Sequence, residues 1–425
     1  MTAGLEGIVP RRLEASARSL MTVEPVLVLQ GPRSVGKSTL LRALAASVGH
    51  EVLDLDDIAT RDAVEHDPAL FVAGEAPVFI DEYQHVPEVL DAIKAELNRD
   101  TRPGRYVITG STNYLTLPLT ARTLTGRAHV VDVLPLSQGE MVCASEDFAS
   151  CLIRDPQSLV SADTGSATRE DYVARVVAGG FPPALSRVRS ADRRRWFDDY
   201  LELVVERDVL ELSRIRQRQQ LPRLLTKLAS QTGGLLNIAS AAAAVQMEES
   251  TAENYTKLLE AVFLIRRLPA WGTTLGSRVG AAPKVHILDS GLGARLLSLT
   301  EEKLVAANPQ AVTEFGHLLE TFVVGEIIKQ LGWLEEPVQV GHWRTHDGDE
   351  VDLVLERSDG SIVAIEVMAG TMVRGRKVSA IRKLRDRLGS SFAAGLILYT
   401  GRDAYGMDDS IFVVPIDRIW REAQP

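Results

Sequence analysis

Residues 26–39 read V-L-V-L-Q-G-P-R-S-V-G-K-S-T, and this stretch restricts the fold more than any other. A short apolar run without alternation belongs to a strand buried on both faces of a sheet. Glycine lets successive backbone amides close around an anion, and the run L-L-R-A-L-A-A that follows is helical in pattern. Those amides therefore converge at the positive end of a helix. Strand, glycine loop and helix in this order form a P-loop. Its residues here are Gly31, Pro32, Arg33, Ser34, Val35, Gly36, Lys37, Ser38 and Thr39. Lys37 is expected to reach the β- and γ-phosphates of ATP and Ser38 to hold Mg²⁺ through its hydroxyl. Arg33 either touches phosphate or braces the loop.

A second element supports this. The run P-V-F-I-D-E-Y-Q ends an apolar strand in Asp81 and Glu82, about 40 residues after the loop. Asp81 suits the surroundings of Mg²⁺, and Glu82 is placed to activate an attacking water. The next strand, R-Y-V-I-T-G-S-T-N, ends in a polar cluster. Ser111 is the expected γ-phosphate sensor there, with Thr109 and Asn113 as competitors. Arg127, and Arg122 before it, precede another buried strand. Either could neutralise transition-state charge on a neighbouring subunit's nucleotide, and a salt bridge or packing role is the competing reading.

Together G-P-R-S-V-G-K-S, V-F-I-D-E-Y-Q, T-G-S and L-T-G-R-A…L-P-L-S resemble a widespread prokaryotic family of AAA-type P-loop ATPases. Members of that family carry a C-terminal domain of unknown function. The resemblance continues through G-G-F-P (residues 179–182), Y-L…R-D (200–208) and P-K-V-H-I-L-D-S-G-L (283–292). It implies an α/β fold with a P-loop AAA-type parallel sheet and a helical lid. In related ATPases such a lid returns an arginine to the nucleotide, which makes Arg207 a sensor candidate.

The 425 residues suit two to four domains. No apolar run approaches the roughly 18 residues of a membrane span, and the N-terminus lacks the pattern of a signal peptide. Cys143 and Cys151 make neither a metal spacing nor a disulfide framework, so reduced thiols and a cytoplasmic location are expected. A net charge of −10 argues against coating nucleic acid through bulk charge. Charge is uneven, however. Residues 151–311 carry 21 Lys and Arg against 18 Asp and Glu, whereas residues 1–150 carry 13 against 21. Any DNA contact is therefore expected first in this basic middle, at Arg193, Arg194 and Arg195 or between Arg214 and Arg223.

Residues 141–168 lack periodicity and read as a surface insertion. A helical pattern then runs from Arg169 to about Gln220. From residue 221 the order helix, Gly-Gly, short helix, turn, helix and strand has the rhythm of a winged helix. Its last helix, from Thr251, exposes Glu253, Asn254 and Lys257, a mixed set without a basic stripe. DNA reading through that helix and a packing or subunit-contact role both remain open.

The final segment parses as αβββαβ, the core order of restriction-endonuclease-like domains, and is similar to the PD-(D/E)xK nuclease group. In that chemistry two acids hold Mg²⁺ and a lysine stabilises charge. Asp352 and Glu366 take the acid positions and Glu320 a third, but the lysine position holds Met368, which carries no charge. Lys377 is the nearest replacement. The expected division is an ATPase core at 1–140, insertion and lid at 141–220, winged helix at 221–310 and nuclease-like domain at 311–425. The expected function is an ATP-binding and hydrolysing switch with a nuclease-like tail that does not cut. The competing readings are an ATP-gated DNA-binding protein or Mg²⁺-dependent nuclease, and a regulatory protein with negligible turnover. A homo-oligomer is implied only through Arg127 and the AAA resemblance.

Overall fold

The computed structural model describes residues 7–113, 124, 126–160, 164–209, 218–274, 278, 280–306, 309–373 and 375–421. Arg122 and the stretch Arg214 to Gln217 lie outside the described residues. The chain forms two compact units, one of residues 8–136 with 261–263, the other of 137–260 with 264–425.

The first unit is built on a parallel sheet of β1 (Val26–Gln30), β2 (Val52–Asp54), β3 (Val78–Asp81), β4 (Tyr106–Gly110) and β5 (Ala128–Asp132). Its order is β2-β3-β4-β1-β5, so β4 lies between the glycine-loop strand and the acid strand. Strands β1, β3 and β4 are buried throughout, because helices cover both faces and leave no solvent side for polar alternation. Val26, Val28, Ile80 and Ile108 pack on one face against Val64, Val72, Val89 and Ile93. The helix Lys37–Val48 packs against β1, β3 and β4 and buries Leu40, Leu41 and Leu44.

The second unit contains two sheets. Three short strands, β6 (Gly234–Leu235), β7 (Ile265–Leu268) and β8 (Lys284–Ile287), pair antiparallel with β8 in the middle. They accompany the helices Leu221–Ala229, Ile238–Ala244 and Glu249–Ala261. The larger sheet has the order β13-β14-β12-β11-β10-β9. Its strands are β9 (Gln339–Arg344), β10 (Glu350–Glu356), β11 (Ile362–Met368), β12 (Phe392–Tyr399), β13 (Tyr405–Asp408) and β14 (Ile411–Pro415). Alternate residues serve its two faces. Leu353, Leu355, Val363, Ile365, Leu396 and Val414 pack with Phe315, Leu319, Phe322 and Val323 of the helix Pro309–Leu331. Val354, Ala364, Ile397 and Val413 pack with Val378, Ile381 and Leu384 of the helix Arg376–Leu388.

Residues 141–168 differ from the expected surface insertion. Phe148, Leu152 and Leu159 are buried in the same core as the helix Pro309–Leu331. The helix that presents the first two, Phe148–Arg154, has seven residues, too few to display a period in the sequence. Two of the resembling motifs also prove to be packing devices. Asp289 accepts from the Gly180 amide at 2.7 Å and caps the helix Ser290–Leu296 through the Leu292 amide at 3.0 Å. A Cβ on Gly179 would stand 2.2 Å from the Asp289 carboxylate, so G-G-F-P and L-D-S-G-L meet only with glycine there.

Glu146 is buried, accepting from the Ser137 hydroxyl at 2.5 Å and the Gly139 amide at 2.9 Å. Burial, aided by nearby Glu326, pushes its carboxyl up from 4.5 to about 7. The folded state thus holds this proton more tightly than the unfolded chain does. Its stabilising contribution is full below the ordinary value near 4.5 and is lost as pH rises through about 7. Glu146→Gln is expected to flatten the decline in melting temperature between about pH 5 and about pH 8 by a few degrees, measured by thermal melts at constant ionic strength.

Candidate nucleotide site and a carboxylate–lysine cluster

The loop between β1 and the helix Lys37–Val48 takes its shape from two glycines. At Gly31 a Cβ would lie 2.1 Å from the Val133 carbonyl oxygen, so the chain passes there only without a side chain. Gly36, the residue before the helix, adopts φ 96°, a left-handed conformation that glycine takes at little cost. Lys37 is buried, and its Nζ donates to the carbonyls of Gly31 at 3.1 Å and Pro32 at 2.9 Å. The ammonium is thereby folded back over the loop. Arg11, distant in sequence, donates to the carbonyls of Val35 and Leu134, each at 2.8 Å. It braces the loop from outside.

The ends of β3 and β4 meet beside this loop. The Thr109 hydroxyl donates to Asp81 and accepts from the Glu82 amide at 3.0 Å, tying both acids to β4. Ser38 also hydrogen-bonds to Asp81, and burial raises the Asp81 carboxyl above its ordinary value despite these bonds. Glu82 has φ 54°, so its side chain leaves the strand line and pairs with Gln84, whose amide donates also to Ser111 Oγ at 3.1 Å. Arg42 pairs with Asp54 at 3.0 Å and reaches within 4.0 Å of Asp81.

Lys37, Ser38, Asp81, Glu82, Thr109 and Ser111 are therefore brought to one edge of the sheet. Arg33 and Ser34 sit in the loop, Arg33 partly exposed, Ser34 exposed. Asn113 gives its amide to the Ala261 carbonyl at 2.9 Å. Arg127 donates to Asn98 at 2.7 Å on the exposed side of the unit, away from these groups. Arg207 is exposed and belongs to the other unit. Sequence reasoning missed Gln84, Arg11 and Arg42. Gln84 stood in the quoted V-F-I-D-E-Y-Q, three residues after Asp81, whereas nothing local points to Arg11.

Residues 23–142 match the model of a family described as an AAA domain. This stretch has the P-loop fold of AAA-type domains. Residues 169–303 and 315–419 match two domains of unknown function, DUF8612 and DUF4143. The chain is similar along 98% of its length to uncharacterized proteins of Mycobacterium tuberculosis (Rv2008c) and Mycobacterium bovis (Mb2031c), each 28% identical and covered to 86%. Similar solved structures include the Walker-type ATPase PABY2304 of Pyrococcus abyssi, 17% identical, with 68% of this chain and 96% of that one covered at a TM-score of 0.41. The Thermotoga maritima RuvB Holliday junction branch migration motor is 17% identical, with 61% and 88% covered at a TM-score of 0.28.

The acids anticipated in the tail also come together, in the second unit. Asp352 lies where β10 bulges against β9, between Val351 and Val354. A bulge re-aims side chains, and the Asp352 carboxylate accepts from the Val367 amide at 2.9 Å and from Lys377 at 2.6 Å. Lys377 also reaches Glu366 at 2.6 Å, so a lysine from the next helix stands where Met368 offers none. Lys284 donates to Glu320 at 2.7 Å and Asp352 at 3.0 Å. Burial raises the carboxyls of Glu320, to about 8, and of Glu366, and neighbouring Asp352 adds to both. Asp352 itself is buried, yet Lys284 and Lys377 hold it below its ordinary range. An ammonium contacts each of the carboxylates expected to hold metal, Lys284 reaching Glu320 and Asp352, and Lys377 reaching Asp352 and Glu366. Among the described residues no three His, Cys, Asp or Glu side chains are arranged to hold a metal ion.

Lys37→Ala is expected to abolish ATP binding. Glu82→Gln should retain binding and lower turnover by about 10²-fold or more, the usual worth of a positioned proton acceptor. Gln84→Ala should lower turnover by a smaller factor. Nucleotide titration by fluorescence, beside phosphate release on the full chain, checks all three.

Proposed function

We propose that the first unit binds ATP with Mg²⁺ and hydrolyses it, acting as a nucleotide-dependent switch for the second unit. The observation that carries this is the Thr109 hydroxyl joining Asp81 and Glu82 beside Lys37 and Ser38, with Gln84 linking Glu82 to Ser111. The residues fit the nucleotide. The loop amides and Lys37 would hold phosphates, and Ser38 with Asp81 would hold Mg²⁺. That ion would supply charge neutralisation at the phosphates. Glu82 is the group that takes a proton from water, and Gln84 and Ser111 position it. Arg127 is the candidate to complete a neighbouring copy's site in a homo-oligomer.

The second unit reads as a winged helix joined to a restriction-endonuclease-like domain that does not cut. Three helices with the small antiparallel sheet support the former part. The helix, strands β9 to β12 and the intervening helix support the latter. Phe148, Leu152, Leu159, Tyr172 and Val176 then serve this unit's core, beside any lid role of the stretch that carries them. Charge pairing weighs against direct DNA reading. Glu253 ties up Lys257 at 3.6 Å and Arg267 at 2.9 Å, while Arg195 pairs with Asp192 and Arg295 with Asp198. Among the described residues no helix is long and apolar enough to cross a membrane, and a cytoplasmic location suits the free Cys143 and Cys151.

Phosphate release by the purified full chain, with and without duplex DNA at low and moderate salt, tests the reading. Turnover that Lys37→Ala removes and DNA leaves unchanged is expected. Turnover equal in wild type and Lys37→Ala overturns the ATPase assignment. Stimulation by DNA that falls steeply with salt would instead establish the DNA-gated alternative, since phosphate contacts release counterions.

A further inference from the structure

Lys284 opens strand β8, and none of its side chain is exposed. Its Nζ stands 2.7 Å from Glu320, 2.6 Å from Glu350 and 3.0 Å from Asp352. An ammonium has three donors and no acceptor; here Glu320 and Asp352 accept hydrogen bonds from it, and Glu350 adds a third ion-pair contact. A lysine buried this completely is tolerated only when paired, but one acid would suffice for pairing. Three acids converge instead, from the helix Pro309–Leu331 and the bulged strand β10. Asp352 is shared, giving one oxygen to Lys284 and the other to Lys377. Lys377 is the outer of the two, with a side chain 39% exposed.

Carboxylate oxygens are also the ligands that hard divalent cations take, at about 2.1 Å for Mg²⁺ and about 2.3–2.6 Å for Ca²⁺. The ammonium and a metal exclude each other. An ion within bonding distance of Glu320, Glu350 and Asp352 would lie against Nζ, with like charges in contact and little water between them. We propose that Lys284 is the built-in cation of this cluster, standing where a divalent metal would be held, so that the native chain takes no metal there. The same contact fastens the small sheet to the long helix and to β10, because its ligands come from both. On the proposed reading of the tail as a domain that does not cut, the obstacle is the seat of the ion, which Lys284 fills, since Lys377 already stands where Met368 offers no ammonium. The nucleotide unit is not involved, so the inference stands apart from the ATPase reading.

Mn²⁺ is the probe, on the nucleotide-free full chain carrying Asp81→Asn to remove the P-loop acid. Bound Mn²⁺ is counted by electron paramagnetic resonance, and melting temperature is read in parallel. With Lys284 present, Asp352→Asn is expected to leave Mn²⁺ occupancy unchanged. Lys284→Ala is expected to gain one Mn²⁺ per chain, to lose it again with Asp352→Asn added, and to melt higher with the ion than without. A Mn²⁺ site in the Lys284-bearing chain that Asp352→Asn abolishes would overturn the proposal. A folded Lys284→Ala chain that gains no ion would overturn it equally. Should the alanine variant not fold, Lys284→Gln, which keeps the volume and the donors without the charge, serves for the same gain measurement.

Discussion

The absence of a Cβ at Gly31 is the constraint on which the nucleotide unit depends. The chain leaves β1 so close to the Val133 carbonyl that any side chain would collide with it. This passage is available only because β1 lies inside the sheet, with β4 on one side and β5 on the other. From there the loop turns into the helix Lys37–Val48, and Lys37 and Ser38 open that helix. The position of β4 has the second consequence. Its terminal residues stand between the loop and β3, so one hydroxyl, that of Thr109, can hold both Asp81 and the amide of Glu82. The Asp81 carboxylate and the Glu82 backbone are thus fixed by a neighbouring strand and not by their own loop.

The second unit depends on charge in a different way. Its long helix buries Phe315, Leu318, Leu319, Phe322 and Val323 in the core, and it also carries Glu320 and Glu326 into the interior. Both acids are answered by lysines, Lys284 and Lys329. Buried ion pairs contribute little net stability compared with apolar packing, but removing one partner is strongly destabilising. The effect is specificity of arrangement. Strand β8 can join this helix and β10 only in the register that brings Lys284 to three carboxylates.

Much of the nucleotide site was legible in the sequence because its chemistry is local. The loop, Lys37, Ser38, Asp81 and Glu82 each follow directly from a strand whose apolar run can be read, and the extra strand follows from its own apolar run ending at Thr109. Gln84 is contiguous with the acids, but its role appears only when β4 brings Ser111 beside it. Arg11 has no local signal at all, since it meets Leu134 across 123 residues. In the tail, the apolar strands β10 and β11 marked Asp352 and Glu366 as inward acids, and both are buried. The alternation of Lys284 and His286 on β8 with Val285 and Ile287 was equally present, and it marks a polar face. What it cannot say is that this face is buried, or against what.

The sequence by itself determined the parallel-sheet P-loop domain, its loop and its acid pair, because each is written in its own run of neighbouring residues, the glycines after one apolar strand and the two acids at the end of another. It also determined that the tail lacks a lysine at Met368. Lys377 was already the nearest replacement in the sequence, but only the tertiary structure decided that it reaches the acids and that Lys284 joins them. Lys284 and Lys377 arrive from segments 68 and 25 residues away from Asp352, and which ammonium reaches which carboxylate is set by sheet register, a bulge and the packing of two helices. Those are long-range choices, and no local pattern encodes them.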